Sequence, residues 1–362
     1  MADIMEYLAW RGDVPFSAAP LCDVDSYMLS KVGTIDWTGI VPEDKSYIPL
    51  ADAARSYFDN GGEARLGLLT SPKIAPMVKA LGNTARFRDV SLTLFRRRVS
   101  EEETEQFSAL TLRLPDGRHY ISYRGTDDSI VGWRENCLLS VRDTVPAQRD
   151  ALAYLEEAAT LLPGSLLVGG HSKGGNLAVF AAASAPAGVQ KRIETVWNFD
   201  GPGFRTEFLE REGYRNIREK LRTVLSQHAM VGTLLTQEEN CIIVKSSAVG
   251  VAAHDGFTWQ TEPRGFVRCD KLAPASRAFD RAMEAVLAGM DNTARESFIE
   301  AFFGTLSSSG AETLTDLTEQ NIRRSLAMVH TLHREPEVQA TLTSLLENMA
   351  KNYVSERRRK KH

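Results

Sequence analysis

The chain has 362 residues, with 43 Lys+Arg against 47 Asp+Glu, a formal charge of −4, 43% hydrophobic and 25% charged residues. These fractions fit a folded globular chain of one large or two ordinary domains and exclude disordered, collagen-like and coiled-coil classes. The mild acidity argues against a nucleic-acid partner.

The first residues lack the basic start and apolar run of a secretory leader, and no stretch is long and apolar enough to be read as a transmembrane helix. Cys22, Cys137, Cys241 and Cys269 are far apart, without C-x-x-C or zinc-finger spacing. A reduced cytoplasmic setting is therefore expected, with no metal and no cofactor.

Up to about residue 88 the pattern is one of short helices broken by turns, with helical spacing over 49–60 and 72–87. From Val90 the period changes to two. Residues 91–95 and 109–114 alternate as strands, Pro115-Asp116-Gly117 makes a tight turn, and 119–123 forms a return strand. A helix is expected over 146–162, a buried strand over 166–168, an Ala-rich helix over 174–185 and a strand over 195–199. A short helix over 204–210 and strands over 222–225 and 241–244 follow. Strands alternating with helices imply a mostly parallel sheet with helices on both faces. The chain is expected to be helical again from Pro274 to Ser355, before a basic tail read as a solvated end. Three segments result: a helical 1–88 packing on the core, an α/β core over 89–272 and a helical 273–362.

Gly170-His171-Ser172-Lys173-Gly174 fits G-x-S-x-G between a buried strand and a small-residue helix. A serine at so sharp a turn sits in strained backbone, and side chains two residues either side would collide. The helix start beyond it favours developing negative charge. Ser172 is the candidate nucleophile, the alternative being a plain tight turn with Ser172 as N-cap.

A serine needs a base. His171 is adjacent and expected to point elsewhere, and His119, His330, His333 and His362 lie in the return strand or in and beyond the terminal helices. Of His228 and His254, His254 follows the last expected strand and is preferred. The loop after the penultimate strand, Ser226-Gln227-His228-Ala229, carries no carboxylate. Asp200, after the strand before it, is the assigned acid, with Asp255 or a dyad as alternatives. Oxyanion-hole donors are assigned to the backbone N–H groups of Lys173, by position, and Thr126, in the loop Tyr123-Arg124-Gly125-Thr126-Asp127-Asp128.

These segments, with Gly132-Trp133-Arg134-Glu135 and Asn198-Phe199-Asp200-Gly201-Pro202-Gly203-Phe204, resemble the class 3 (fungal-type) lipases of the α/β-hydrolase fold over about 91–259. The chain is also similar, over nearly its whole length, to a family of bacterial hydrolases related to those lipases, including Tyr7-Leu8-Ala9-Trp10-Arg11-Gly12-Asp13. The resemblance implies an acyl-ester hydrolase using Ser172, His254 and an acid, with Thr126 and Lys173 in the oxyanion hole. In those lipases the acid lies in the loop before the last strand, and this chain departs there.

The expected partner is a small-molecule acyl ester. The same machinery could serve a thioesterase, amidase or acyltransferase, and a non-catalytic binding module is the reading from another class. Phe298, Phe302, Phe303 and Leu306 form an apolar face at helical spacing, read first as core packing. Met230, Val231, Leu234 and Leu235 are weighed as acyl-chain contacts.

Overall fold

The computed structural model describes residues 2–62, 71–127, 129–237, 240–274, 276–277 and 292–307. The expected helix beyond residue 307, the basic tail, His330, His333, His362, Asp128 and the side chains of Phe298, Phe302 and Leu306 lie outside what is described.

Helices α1 (Ile4–Arg11) and α2 (Asp23–Val32) come first, then strand β1 (Ile48–Pro49), α3 (Leu50–Asp59) and α4 (Ile74–Leu81). The strands β2 (Ser91–Ser100), β3 (Glu105–Arg113) and β4 (His119–Tyr123) form an antiparallel meander. Next come α5 (Ile130–Leu138), α6 (Pro146–Leu161), β5 (Leu166–His171), α7 (Lys173–Ser184), α8 (Ala187–Arg192) and β6 (Ile193–Phe199). The chain continues through α9 (Thr206–Leu209), α10 (Glu212–Ile217), β7 (Leu221–Ser226), β8 (Ile242–Val244), β9 (Thr261–Glu262), β10 (Gly265–Phe266) and α11 (Asn292–Ser307). The helix expected over 72–87 is shorter, because Gly82 packs against the Ala51 backbone and the chain turns there.

Eight strands make one sheet in the order β1 to β8, antiparallel up to β4 and parallel from β4 to β8. Right-handed crossovers between strands that always step in one direction place their helices on one face. The core agrees: Ala109, Ile121, Val168 and Val196 cluster with Leu155, Leu177 and Ile217 of α6, α7 and α10. Their neighbours along the strands, Leu110, Tyr120, Leu167 and Phe199, point to the opposite face and cluster with Ile4, Tyr27, Leu29 and Met77. The period of two along each strand thus requires a second helical layer, and the first eighty residues provide it.

The centre of that layer is α2, all ten of whose residues are buried. Asp23 and Asp25 stand in its first turn and Lys31 in its last, as the helix dipole favours. Asp25 accepts the Cys22 N–H at 2.9 Å and pairs with buried Arg86, whose Nε donates at 2.8 Å. Gly33, just past the helix, sits where a Cβ would meet Ser122 Oγ at 2.2 Å, so α2 ends in close contact with β4. Helix α11 lies on α5, with Phe303 buried and Glu296 paired to Arg142 at 2.7 Å, while Glu300 pairs with Arg134.

Candidate active site

Ser172 stands between β5 and α7 with φ 59° and ψ −132°, a left-handed conformation costing about 1–3 kcal/mol for a non-glycine residue. Its N–H is tied to Phe199 O at 2.9 Å, which anchors the strained turn to β6. A Cβ on Gly170 would lie 2.2 Å from the Gly174 carbonyl carbon, and one on Gly174 would lie 2.2 Å from Tyr123 O. Only hydrogens fit at both positions, so the turn can be this sharp.

His254 ends a 3₁₀ turn, Gly250–His254, after β8. Its ring Nδ1 is 2.7 Å from Asp200 Oδ2. A carboxylate can only accept, so Nδ1 carries a proton and donates it to Asp200, which leaves Nε2 as the ring nitrogen not engaged by the acid. Asp200 is fully buried, whereas the His254 side chain is 21% exposed. Asp200 follows β6, not β7: it has φ 51° and donates its N–H to Val224 O of β7 at 2.8 Å. The loop after β7, which carries no carboxylate over residues 227–237, closes over this one. A Cβ on Gly232 would meet Asp200 Oδ1 at 2.3 Å.

A cavity of about 320 Å³ opens beside Ser172 and is lined by His254, His171, Thr126, Gly125, Trp133, Lys31 and Asp255, among others. The loop after β4 reaches the elbow because Gly125 packs against it; a Cβ there would meet His171 O at 2.7 Å. Thr126 is thereby brought to the cavity, and its Oγ1 is buried without a hydrogen-bond partner. The Lys173 N–H is among the first four of α7, which have no intrahelical acceptor.

Two expectations are corrected and one alternative is set aside. Met230, Val231, Leu234 and Leu235 are not among the lining residues; Ser30, Thr34, Pro72 and Ile74 of the first layer contribute to the wall instead. Asp255 faces the cavity, but its Oδ1 accepts the Phe257 N–H at 3.1 Å, so it caps a turn while Asp200 takes the histidine. His171 does not point away. Its ring lies 4.5 Å from that of His254, its Nε2 is 2.8 Å from His254 O and its Nδ1 is 3.1 Å from Lys31 Nζ.

An ammonium can only donate, so Nδ1 of His171 accepts and Nε2–H donates to the His254 carbonyl. Burial, and then the Lys31 charge, hold His171 well below its ordinary pKa, and it stays neutral. One turn before Lys31 on α2, the Tyr27 hydroxyl accepts the Gly256 N–H at 3.0 Å, and the ring packs on those of His171, Phe257 and Trp259. Tyr27 and Lys31, four residues apart on one helix face, thus hold the histidine loop. The sequence gives no local sign of this, since α2 carries no motif.

Behind the elbow, the fully buried Lys173 side chain donates to Gln106 O at 2.6 Å, Gln106 Oε1 at 2.8 Å and Glu135 Oε2 at 2.9 Å. Glu135 also accepts the N–H groups of Gln106 and Ala147. This cluster fixes α7 to β3 and α5. Among the described residues no group of three or more His, Cys, Asp and Glu side chains could hold a metal ion, and no helix is long and apolar enough to cross a membrane.

The mostly parallel sheet, its two helical layers and the serine held at positive φ between a central strand and its helix define an α/β-hydrolase fold. Residues 81–304 match the family described as Mbeg1-like, more than half of the sequence, and the chain belongs to that family. No curated protein matches it. Among solved structures, a native Rhizomucor miehei lipase propeptide complex is similar over 68% of this chain and 76% of that one, at 14% identity and a TM-score of 0.35. The M37 lipase is similar over 80% of this chain and 91% of its own, at 15% identity and a TM-score of 0.35.

Proposed function

We propose that the chain is a lipase-like serine hydrolase that cleaves carboxylic esters through a covalent acyl-enzyme. The observation that carries this reading is the 2.7 Å contact of His254 Nδ1 with buried Asp200, in a cavity shared with a strained Ser172. Ser172 Oγ attacks the ester carbonyl and its proton passes to His254 Nε2. The imidazolium is balanced by Asp200, and the oxyanion accepts from the N–H groups of Thr126 and Lys173. His254 then protonates the departing alcohol, takes a proton from water, and the hydroxide releases the carboxylic acid. Each oxyanion donor is worth about 10²–10³ in rate.

The substrate class is a small or medium acyl ester, matched to the cavity volume of about 320 Å³. A relation to bacterial hydrolases and a cytoplasmic location belong to the same reading, the latter supported by cysteine spacing that suits a reducing compartment. The test is a fluorophosphonate probe with the adduct located by peptide mass spectrometry. Ser172 is expected to label, and Ser172→Ala and His254→Ala to abolish the adduct. Asp200→Asn is expected to slow ester turnover on the order of 10⁴-fold, because the histidine loses its tautomer. Absence of labelling in the folded protein would remove the hydrolase reading and favour a binding module.

A further inference from the structure

Lys31 is a buried cation with a single hydrogen-bond partner among the described residues. It is 8% exposed and faces the cavity that holds Ser172. An ammonium has three N–H donors, and one of them meets His171 Nδ1 at 3.1 Å. Otherwise the ammonium lies 5.6 Å from the centre of the Tyr27 ring. Among the described residues no carboxylate lies within ion-pair distance of it. Asp255, the acidic side chain of the cavity, attracts it from further away while its Oδ1 accepts the Phe257 N–H; Arg124 repels it. Burial is the main influence and pulls the ammonium down to about 8, so it remains largely protonated at neutral pH.

We propose that the Lys31 ammonium is the docking point for a carboxylate carried by the substrate, so that the ester cleaved at Ser172 is a half-ester of a short dicarboxylic acid. The inference rests on the hydrolase reading for the cleavage, but not for the binding. The docking point and the nucleophile are close: Lys31 bonds to His171, which precedes Ser172 in the chain and stacks on His254. A carboxylate there would supply acceptors to the two idle N–H groups. A single negative charge fits best, because Asp255 in the same cavity opposes a dianion such as phosphate. Neutral acyl esters leave the ammonium buried and unsatisfied, which selects against them.

The test separates binding from turnover. Full-length Ser172→Ala protein is titrated calorimetrically with monomethyl glutarate, with methyl pentanoate as a neutral probe of similar length and with inorganic phosphate. Monomethyl glutarate is expected to bind at least about ten-fold more tightly than the other two, the scale of one charged hydrogen bond. Adding Lys31→Met should bring the glutarate and pentanoate constants to parity, and adding Lys31→Arg should restore much of the difference. Parity without the Lys31 change, a preference that survives Lys31→Met, or tighter phosphate binding overturns the proposal. Wild-type hydrolysis of the p-nitrophenyl half-ester of glutarate and of p-nitrophenyl pentanoate is measured in parallel. Tight binding without cleavage would remove the hydrolase reading and leave this one; equal cleavage of both would do the reverse.

Discussion

Two buried lysines flank the elbow, and their surroundings are opposite. Lys173 points behind Ser172 and has all three N–H groups satisfied, by Gln106 O, Gln106 Oε1 and Glu135 Oε2. Lys31 points in front of it, toward the cavity, with one donor engaged and no carboxylate in contact among the described residues. A buried charge that is fully paired belongs to the scaffold. One that is left open at a cavity wall is held in readiness for a ligand, at the cost of its own desolvation. The two roles differ in how many N–H donors are engaged and in whether the idle ones face a cavity.

The largest expected effect tests the scaffold side. Lys173→Met leaves Glu135 buried without its cation and should cost about 3–5 kcal/mol. Lys31→Met removes a poorly satisfied charge at the cost of one hydrogen bond to His171, so the loss should be much smaller, about 0.5–1.5 kcal/mol. Urea denaturation of both variants decides the matter, and a loss in Lys31→Met as large as in Lys173→Met would contradict the difference drawn here.

Next in size is the loop over Asp200. Gly232→Ala drives a methyl into the carboxylate that holds His254, and also toward Leu225 Cδ2 at 2.6 Å. Overpacking of this kind costs about 1–3 kcal/mol. A displaced carboxylate should also slow fluorophosphonate labelling on the order of 10²-fold, as small misplacements of catalytic groups do. Gly188→Ala, where an added Cβ meets nothing within 4 Å, is the control and should leave labelling unchanged.

The reach of the sequence follows the same division. The elbow is a local object: five consecutive residues between a strand and a helix dictate the sharp turn, and its glycines carry their reason in the pattern. Strands β2 and β3 are legible because a period of two over 91–95 and 109–114 differs from the helical period that surrounds it, and β5 to β8 because short apolar runs alternate with helical segments. Pairing Asp200 with His254 is less legible, since it depends on β6 lying next to β7 and on Gly232 letting the loop close. Lys31 could not be read at all. Its bond to His171 joins residues 140 apart in sequence, and nothing in the α2 pattern distinguishes it from a lysine at any helix end. The first eighty residues looked like short helices because their significance lies in the sheet face they cover.

A subtler way to sharpen the contrast uses pH. The Lys31 ammonium is held near 8, below its ordinary value, by burial, with Arg124 adding to the depression and Asp255 opposing it. The neighbouring rings do not change the sign: His171 stays neutral, and Tyr27 is pushed well above its ordinary value by burial. The ammonium is therefore present below about pH 8 and lost above it. Preference for the half-ester over the neutral ester should be full near neutrality and fade as the pH passes this point. A ratio of kcat/KM that stays flat from neutrality to pH 9.5, about 1.5 units past the transition, would show that the charge on Lys31 does not select the substrate.

The smallest effect concerns the residue that links the two sides of the cavity. His171 accepts from Lys31 and donates to the His254 carbonyl, so it holds both the Lys31 ammonium and the loop carrying His254. His171→Phe keeps a ring against His254 but removes both hydrogen bonds, each worth about 0.5–1.5 kcal/mol. His171→Gln restores a donor and an acceptor on one side chain. If His171 is a positioning residue, Phe should lower kcat for neutral and half-esters alike by about ten-fold and raise KM for the half-ester alone. The kcat loss reports the loosened histidine loop, and the KM change reports the cation cut adrift. Gln should recover most of both. A purely structural ring would show the reverse pattern, with Phe tolerated and Gln harmful, because it is the apolar contact that such a role needs.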